Sequence, residues 1–183
     1  MSLFHPDVGQ QLRAKRYWSQ DINTVNSHYG TADDLKSLST ALHDRGMYLM
    51  IDVVVNHMVN AADPPDFSKF TPFNAQSDFH PECFVTDYNN QTNVEQCWLG
   101  DSSLPLVDLN TEDDSIVSTM NSWVQKLVSD YSADGIRIDT VKHVRKDFWP
   151  DFAKSSGVFT IGEVLHNETS YVAPYTRRLP CFR

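Results

Sequence analysis

The spacing of apolar positions changes period several times along this chain, and each change marks an element. In "TADDLKSLSTALHDRG", residues 31–46, Leu35, Leu38 and Leu42 recur at helical spacing and predict an amphipathic helix. Thr31 is placed to cap it, Asp34 answers three residues on, and Gly46 ends it. Periodicity then vanishes in "MYLMIDVVVNH". The run from Met47 to Val55 is almost unbroken apolar, as in a parallel strand covered on both faces. Helical spacing returns after Asn110, where Ile116, Met120, Trp123, Leu127 and Tyr131 share a face. Asn110 and Thr111 are the expected caps and Gly135 the terminator. "GIRID" reads as a short strand, "VRKDFWPDFAKSSG" as a helix started or broken at Pro150, and "VFTIGEVL" as a third strand. Helices alternating with such strands predict an α/β fold with parallel strands and right-handed crossovers.

Residues 58–107 break the alternation. Proline, asparagine, serine and aromatics dominate there, and a compact domain rarely keeps a structureless loop of that length. The segment is expected to be an inserted subdomain with Phe70, Phe73, Phe79 and Phe84 as a minor core. Residues 1–57 and 108–183 then form the main unit. A closed eight-stranded barrel takes about 250 residues. With 183 residues and three convincing strands, the chain is either a small open sheet or part of a barrel.

The composition, 40% hydrophobic and 21% charged, is that of a globular chain. A formal net charge of -9 argues against nucleic acid or an anionic membrane surface as partner. No apolar run is long enough to span a bilayer, and the opening "MSLFHPDVGQQLRAKR" has no apolar core of a signal peptide. Cys83 and Cys97 enclose a short aromatic-rich segment. They read either as a disulfide or, with His80, as part of a zinc site that lacks a clear fourth ligand. Cys181 is left over.

The strand ends carry unexpected charge. Residues two apart on a strand face the same side, so Arg137 and Asp139 point together, and the guanidinium favours an ionised carboxylate. Glu163 ends the next strand at a comparable height. Parallel α/β folds place chemistry at the C-terminal ends of strands. Two carboxylates there, about 5–5.5 Å apart, serve as nucleophile and general acid/base in retaining glycoside hydrolysis. Asn56 leaves the first strand with an amide oxygen suited to calcium, and Asp108 and Glu95 offer carboxylates from the insertion. Tyr17 and Trp18 offer flat faces for sugar rings. N-x-T sequons at Asn90 and Asn167 are consistent with secretion.

Together these residues resemble a fungal-type α-amylase, from the α-amylase family of glycoside hydrolases. "DVVVNH", "GIRIDTVKH" and "GEVL" match three family motifs in order, and "YGTADDLK", "HPECF" and "VEQCWLGD" match the fungal subgroup, from about Tyr17 to Tyr175. The resemblance implies a partial (β/α)8 TIM barrel, about strands three to five, with an inserted calcium-binding subdomain. It implies retaining endo-hydrolysis of α-1,4-glucosidic bonds in starch and related glucans. Asp139 would be the nucleophile, Glu163 the general acid/base, and Arg137 the partner that holds Asp139 ionised. Tyr17 would stack on the sugar at the cleavage subsite, and Trp18, His57, Lys142 and His143 would contact glucose units. Calcium would be held by Asn56, Glu95, Asp108 and the backbone carbonyl of His143. Full-length relatives are expected to be secreted and monomeric.

The departures from the family pattern are equally specific. The family's third catalytic aspartate has no counterpart; His43-Asp44 matches it only superficially, on a helix. Lys15 replaces a histidine before Tyr17, Asn167 replaces a glycine beyond the acid, and Ala173 stands where a family cysteine would be. These departures suggest a truncated product, whose sheet would expose apolar edges. Two alternatives to hydrolysis follow: a non-catalytic fragment that binds sugar or calcium, and a glucanotransferase of the same family.

Overall fold

The computed structural model describes residues 19–60, 62, 64–176 and 179. Two three-stranded sheets organise them. The first is parallel, with β1 (Met50–Val54), β5 (Gly135–Asp139) and β6 (Phe159–Gly162) in the order β1-β5-β6. The second is antiparallel, with β2 (His57–Val59), β3 (Leu99–Asp101) and β4 (Leu104–Asp108) in the order β2-β4-β3. The helices are α1 (Ala32–His43), α2 (Gln91–Gln96), α3 (Asp114–Tyr131), α4 (Trp149–Ser156) and α5 (Thr169–Thr176).

Local chemistry explains these boundaries. α1 begins with the expected capping box between Thr31 and Asp34. Its buried face is Leu35 and Ser39 rather than the full leucine stripe, and Leu38 points outward at 49% exposure. α3 buries Ile116, Met120, Trp123, Leu127 and Tyr131, as the spacing predicts. Its caps differ from expectation. Asp113 accepts from Ser115 N–H at the start, and Ser132, in the left-handed conformation, stops the helix three residues before Gly135. Pro150 lies in the first turn of α4, where its missing N–H breaks no helical bond, and left-handed Gly157 closes that helix.

In the parallel sheet, Ile51, Val53, Ile136 and Ile138 are fully buried in a core shared with α3 and α4. Asp52, Arg137 and Asp139 alternate to the other face. That face also carries Met50, Phe159 and Ile161, which stay well exposed. Residues 57–108 hold the second sheet, two short 3-10 turns and α2. Phe70, Phe73, Phe79 and Trp98 are buried there, in one cluster with the main core rather than a separate minor one. Cys83 and Cys97 are joined by a disulfide, so the zinc alternative does not hold. Among the described residues no helix is long and apolar enough to cross a membrane.

The loop after β5 is fixed by close packing. It turns through Thr140, at φ 53°, into a 3-10 turn at Val141–His143, and Trp149 Nε1 donates to Val141 O at 3.2 Å. Gly162 lies directly beneath this turn. A Cβ there would come within 2.7 Å of Val141 Cγ2 and 2.6 Å of Leu179 Cδ1. Gly162→Ala is therefore expected to destabilise the chain by about 1–3 kcal/mol through overpacking. Chemical denaturation of the two proteins checks this, and an unchanged midpoint would show that the packing yields.

Candidate active site

The neighbouring strands β5 and β6 deliver two acids to one place. Ile138 pairs with Gly162, and Glu163 N–H donates to Ile138 O at 2.8 Å, which carries the ladder one step past β6. Asp139 and Glu163 thus emerge together at the C-terminal edge. Arg137, two residues before Asp139, reaches both. Its Nη1 lies 2.7 Å from Asp139 Oδ1, and its Nη2 lies 3.0 Å from Glu163 Oε2. Nη1 is also 2.9 Å from Asp52 Oδ1, because Asp52 stands opposite Arg137 in the β1–β5 register. One guanidinium therefore spans three carboxyl groups, on β1, on β5 and just beyond β6.

That geometry sets the protonation. Burial, and then the hydrogen bond with Glu163, push Asp139 up to about 6, against the pull of Arg137. Glu163 is held below the usual carboxylate range, first by the hydrogen bond from Asp139 and also by Thr140 N–H and Arg137. The two acids interact, and the more buried Asp139 holds its proton more tightly than Glu163 does. Arg137 pulls Asp139 toward its ionised form, while burial and Glu163 oppose that pull. The guanidinium is divided among three acids, and its own proton is bound more tightly for it.

Glu163 opens on a pocket of about 190 Å³ lined by Tyr88, Thr140, Lys142, His143 and Leu165. Lys142 Nζ donates to Leu165 O at 2.9 Å and lies 4.7 Å from the Tyr88 ring centroid. Burial pushes His143 down to about 4, so its imidazole is neutral, and its Nδ1–H donates to Val94 O on α2. His57 is buried at the start of β2, with Nδ1 3.2 Å from Asn56 Nδ2. Tyr17 and Trp18 lie outside the described residues, as does Cys181.

The residues proposed for a metal lie on the β1–β2 link, at the end of β4, on α2 and in the turn after β5. Asn56 is buried, and its Oδ1 has no hydrogen-bond partner. Asp108, only 1% exposed, is pushed up by burial and hydrogen-bonds to His80 Nδ1 at 2.6 Å. His80 Nε2 lies 2.7 Å from Glu112 Oε2. Burial would push this imidazole down, but its two carboxylate partners outweigh burial and push it up to about 9. It is an imidazolium that donates from both nitrogens. Glu95 on α2 is half-buried, accepts from Gln91 Nε2 at 2.6 Å and lies 3.9 Å from Lys146 Nζ. Gln91 Nε2 also contacts the Lys142 carbonyl at 3.3 Å, so α2 packs directly on the turn that carries His143. Among the described residues no cluster of three or more His, Cys, Asp or Glu side chains forms a metal site. The proposed set mixes two carboxylates with an amide and a carbonyl.

Asp52 and two sets of long-range contacts escaped sequence reasoning. Asp52 had a signal: an acid inside a buried apolar run needs a partner, and its spacing put it on the face later taken by Asn56. The His80–Glu112 contact and the Gln91–Tyr171–Tyr175 network join distant segments and had no local signal.

Comparison with known proteins places this arrangement. Residues 5–179 match the family model described as "Alpha amylase, catalytic domain". Alpha-amylase 1 of Lipomyces kononenkoae is 51% identical over 176 residues, 94% of this chain and 28% of that protein. The alpha-amylase of Saccharomycopsis fibuligera is 48% identical over 166 residues, 90% of this chain and 34% of that protein. The solved structure of an alpha-amylase from Malbranchea cinnamomea superposes with a TM-score of 0.86 at 45% identity, covering 89% of this chain and 35% of that one. The chain thus spans about a third of the length of these relatives. Matching almost end to end, in sequence and in backbone, it belongs to the alpha-amylase catalytic-domain family of glycoside hydrolases.

Proposed function

We propose that the chain carries the nucleophile and the general acid/base of a retaining endo-hydrolysis of α-1,4-glucosidic bonds in starch or related glucans. The observation that supports this reading best is the meeting of Asp139 and Glu163, from adjacent parallel strands, on the guanidinium of Arg137. In this reading Asp139 attacks the anomeric carbon and Glu163 protonates the departing glycosidic oxygen. A glucosyl unit entering between them parts the oxygens to about 5–5.5 Å and breaks their shared hydrogen bond. The proton then belongs on Glu163, the more exposed of the two, while Asp139 stays ionised against Arg137. Lys142, His143 and Tyr88 border the pocket on the Glu163 side, where a leaving sugar would sit. His57, Tyr17 and Trp18 would complete the contacts to glucose units. Secretion is part of this proposal.

Calcium would be held by Asn56 Oδ1, Glu95, Asp108 and the His143 carbonyl. The unpartnered, buried Asn56 oxygen and the buried Asp108 carboxyl suit a hard dication. When bound, it supplies a fixed charge that ties the second sheet and α2 to the strand ends. The protein's own residues do the chemistry.

Reducing-sugar release from soluble starch tests the reading, with Asp139→Asn and Glu163→Gln as controls. Glu163→Gln is expected to lower release by about 10²–10⁴-fold, and Asp139→Asn by at least as much. Equal release by all three proteins would remove the assignment.

The dyad also predicts a pH dependence. Because the folded value of Asp139 lies above its ordinary value, the folded chain keeps a proton that the unfolded chain has lost. This contribution to stability is lost as pH rises through about 6, and the alkaline limb of kcat/KM should fall there as the free protein's pair loses its last proton. A carboxyl titration followed by infrared or carbon NMR should show this group near 6 and move it down in Glu163→Gln. No movement would mean that the acids are uncoupled.

Calcium in hundredfold excess over its dissociation constant should stabilise the chain by about 2.7 kcal/mol, and Asp108→Asn should abolish the effect. A melting temperature indifferent to calcium would remove the metal from this proposal.

A further inference from the structure

Each candidate calcium carboxylate already has a cation of the protein's own: Asp108 has His80, and Glu95 has Lys146. The second cation is held in an unusual way. Lys146 Nζ lies 3.9 Å from Glu95 Oε1, 4.7 Å from the Tyr175 ring centroid and 5.8 Å from that of Tyr171. An ammonium over aromatic faces keeps an attractive resting place even when its carboxylate turns away. The contact with Glu95 is too long for a hydrogen bond, so it is a loose ion pair.

The two rings are in turn tied to the helix that bears Glu95. Tyr171 OH donates to Gln91 Oε1 at 2.7 Å, and Gln91 Nε2 contacts Tyr175 OH at 3.3 Å and Glu95 Oε1 at 2.6 Å. α5 and α2 therefore fix the spacing between cation and carboxylate. The Lys146 turn follows directly on the turn that offers the His143 carbonyl.

We propose that Lys146 is a tethered counter-cation for Glu95, which stabilises the chain without metal and competes with calcium for that carboxylate. This rests on the calcium reading above. A half-buried carboxylate is costly unless paired, and Lys146 offsets part of that cost. A dication arriving at Glu95 meets an ammonium already there, so its binding is weakened by like-charge repulsion.

Lys146→Met tests this, because methionine keeps the apolar contact with the rings and removes the charge. Calcium titration calorimetry on the 183-residue chain should show affinity tightened by about three- to tenfold, the scale of one screened charge interaction. Melting in chelator should occur at lower temperature than for the wild type. Lys146→Arg keeps the charge and should keep wild-type affinity, and in a Glu95→Gln background Lys146→Met should leave affinity unchanged. A purely structural lysine would lower stability with and without calcium and leave affinity alone. Unchanged or weaker affinity in Lys146→Met, with wild-type binding intact, overturns the proposal. If Lys146→Met does not fold, tighter binding by Lys146→Gln upholds the proposal and unchanged binding overturns it. Failure of the wild type itself to bind calcium overturns the calcium reading and this inference with it.

Discussion

The guanidinium of Arg137 is the interaction on which the strand ends depend. It contacts Asp52 on β1, Asp139 on β5 and Glu163 just beyond β6. Three acids gathered on a partly buried surface repel one another, and without a cation the parallel register would bring like charges together. One cation cannot neutralise three anions. Burial first, and then the hydrogen bond with Glu163, push Asp139 up, while Glu163 is held down. The same guanidinium that lets the strands carry acids side by side joins Asp139 to Glu163.

The second sheet meets the first at a related problem of buried charge. Asp108 is almost inaccessible and is balanced by an imidazolium that also serves Glu112. Glu95 is balanced more loosely by Lys146 over two tyrosine rings. The Asn56 oxygen has no partner at all.

The site is positioned from behind. Trp149 holds the Val141 carbonyl, Gly162 lets the Val141 turn descend onto β6, and Thr140 adopts the left-handed conformation that a branched residue normally avoids. These contacts set where the chain turns after Asp139.

The sequence by itself determined the elements and the principal acids. Apolar spacing marked α1, α3 and the three parallel strands, and the R-x-D and G-E strand ends marked Arg137, Asp139 and Glu163, because strand alternation is a local property. Caps were less legible. Asp113 and Ser132 took over roles expected of Asn110, Thr111 and Gly135, since several neighbouring polar residues could serve. Only the tertiary structure decided that Leu38 faces outward, that the insertion shares the main core, and that Asp52 divides the charge of Arg137. It also decided the partners of His80, Glu95 and Lys146, which join segments far apart in the chain. A period can be read from neighbours along the chain, but a charge balance depends on which groups the folded backbone brings within a few ångströms of each other.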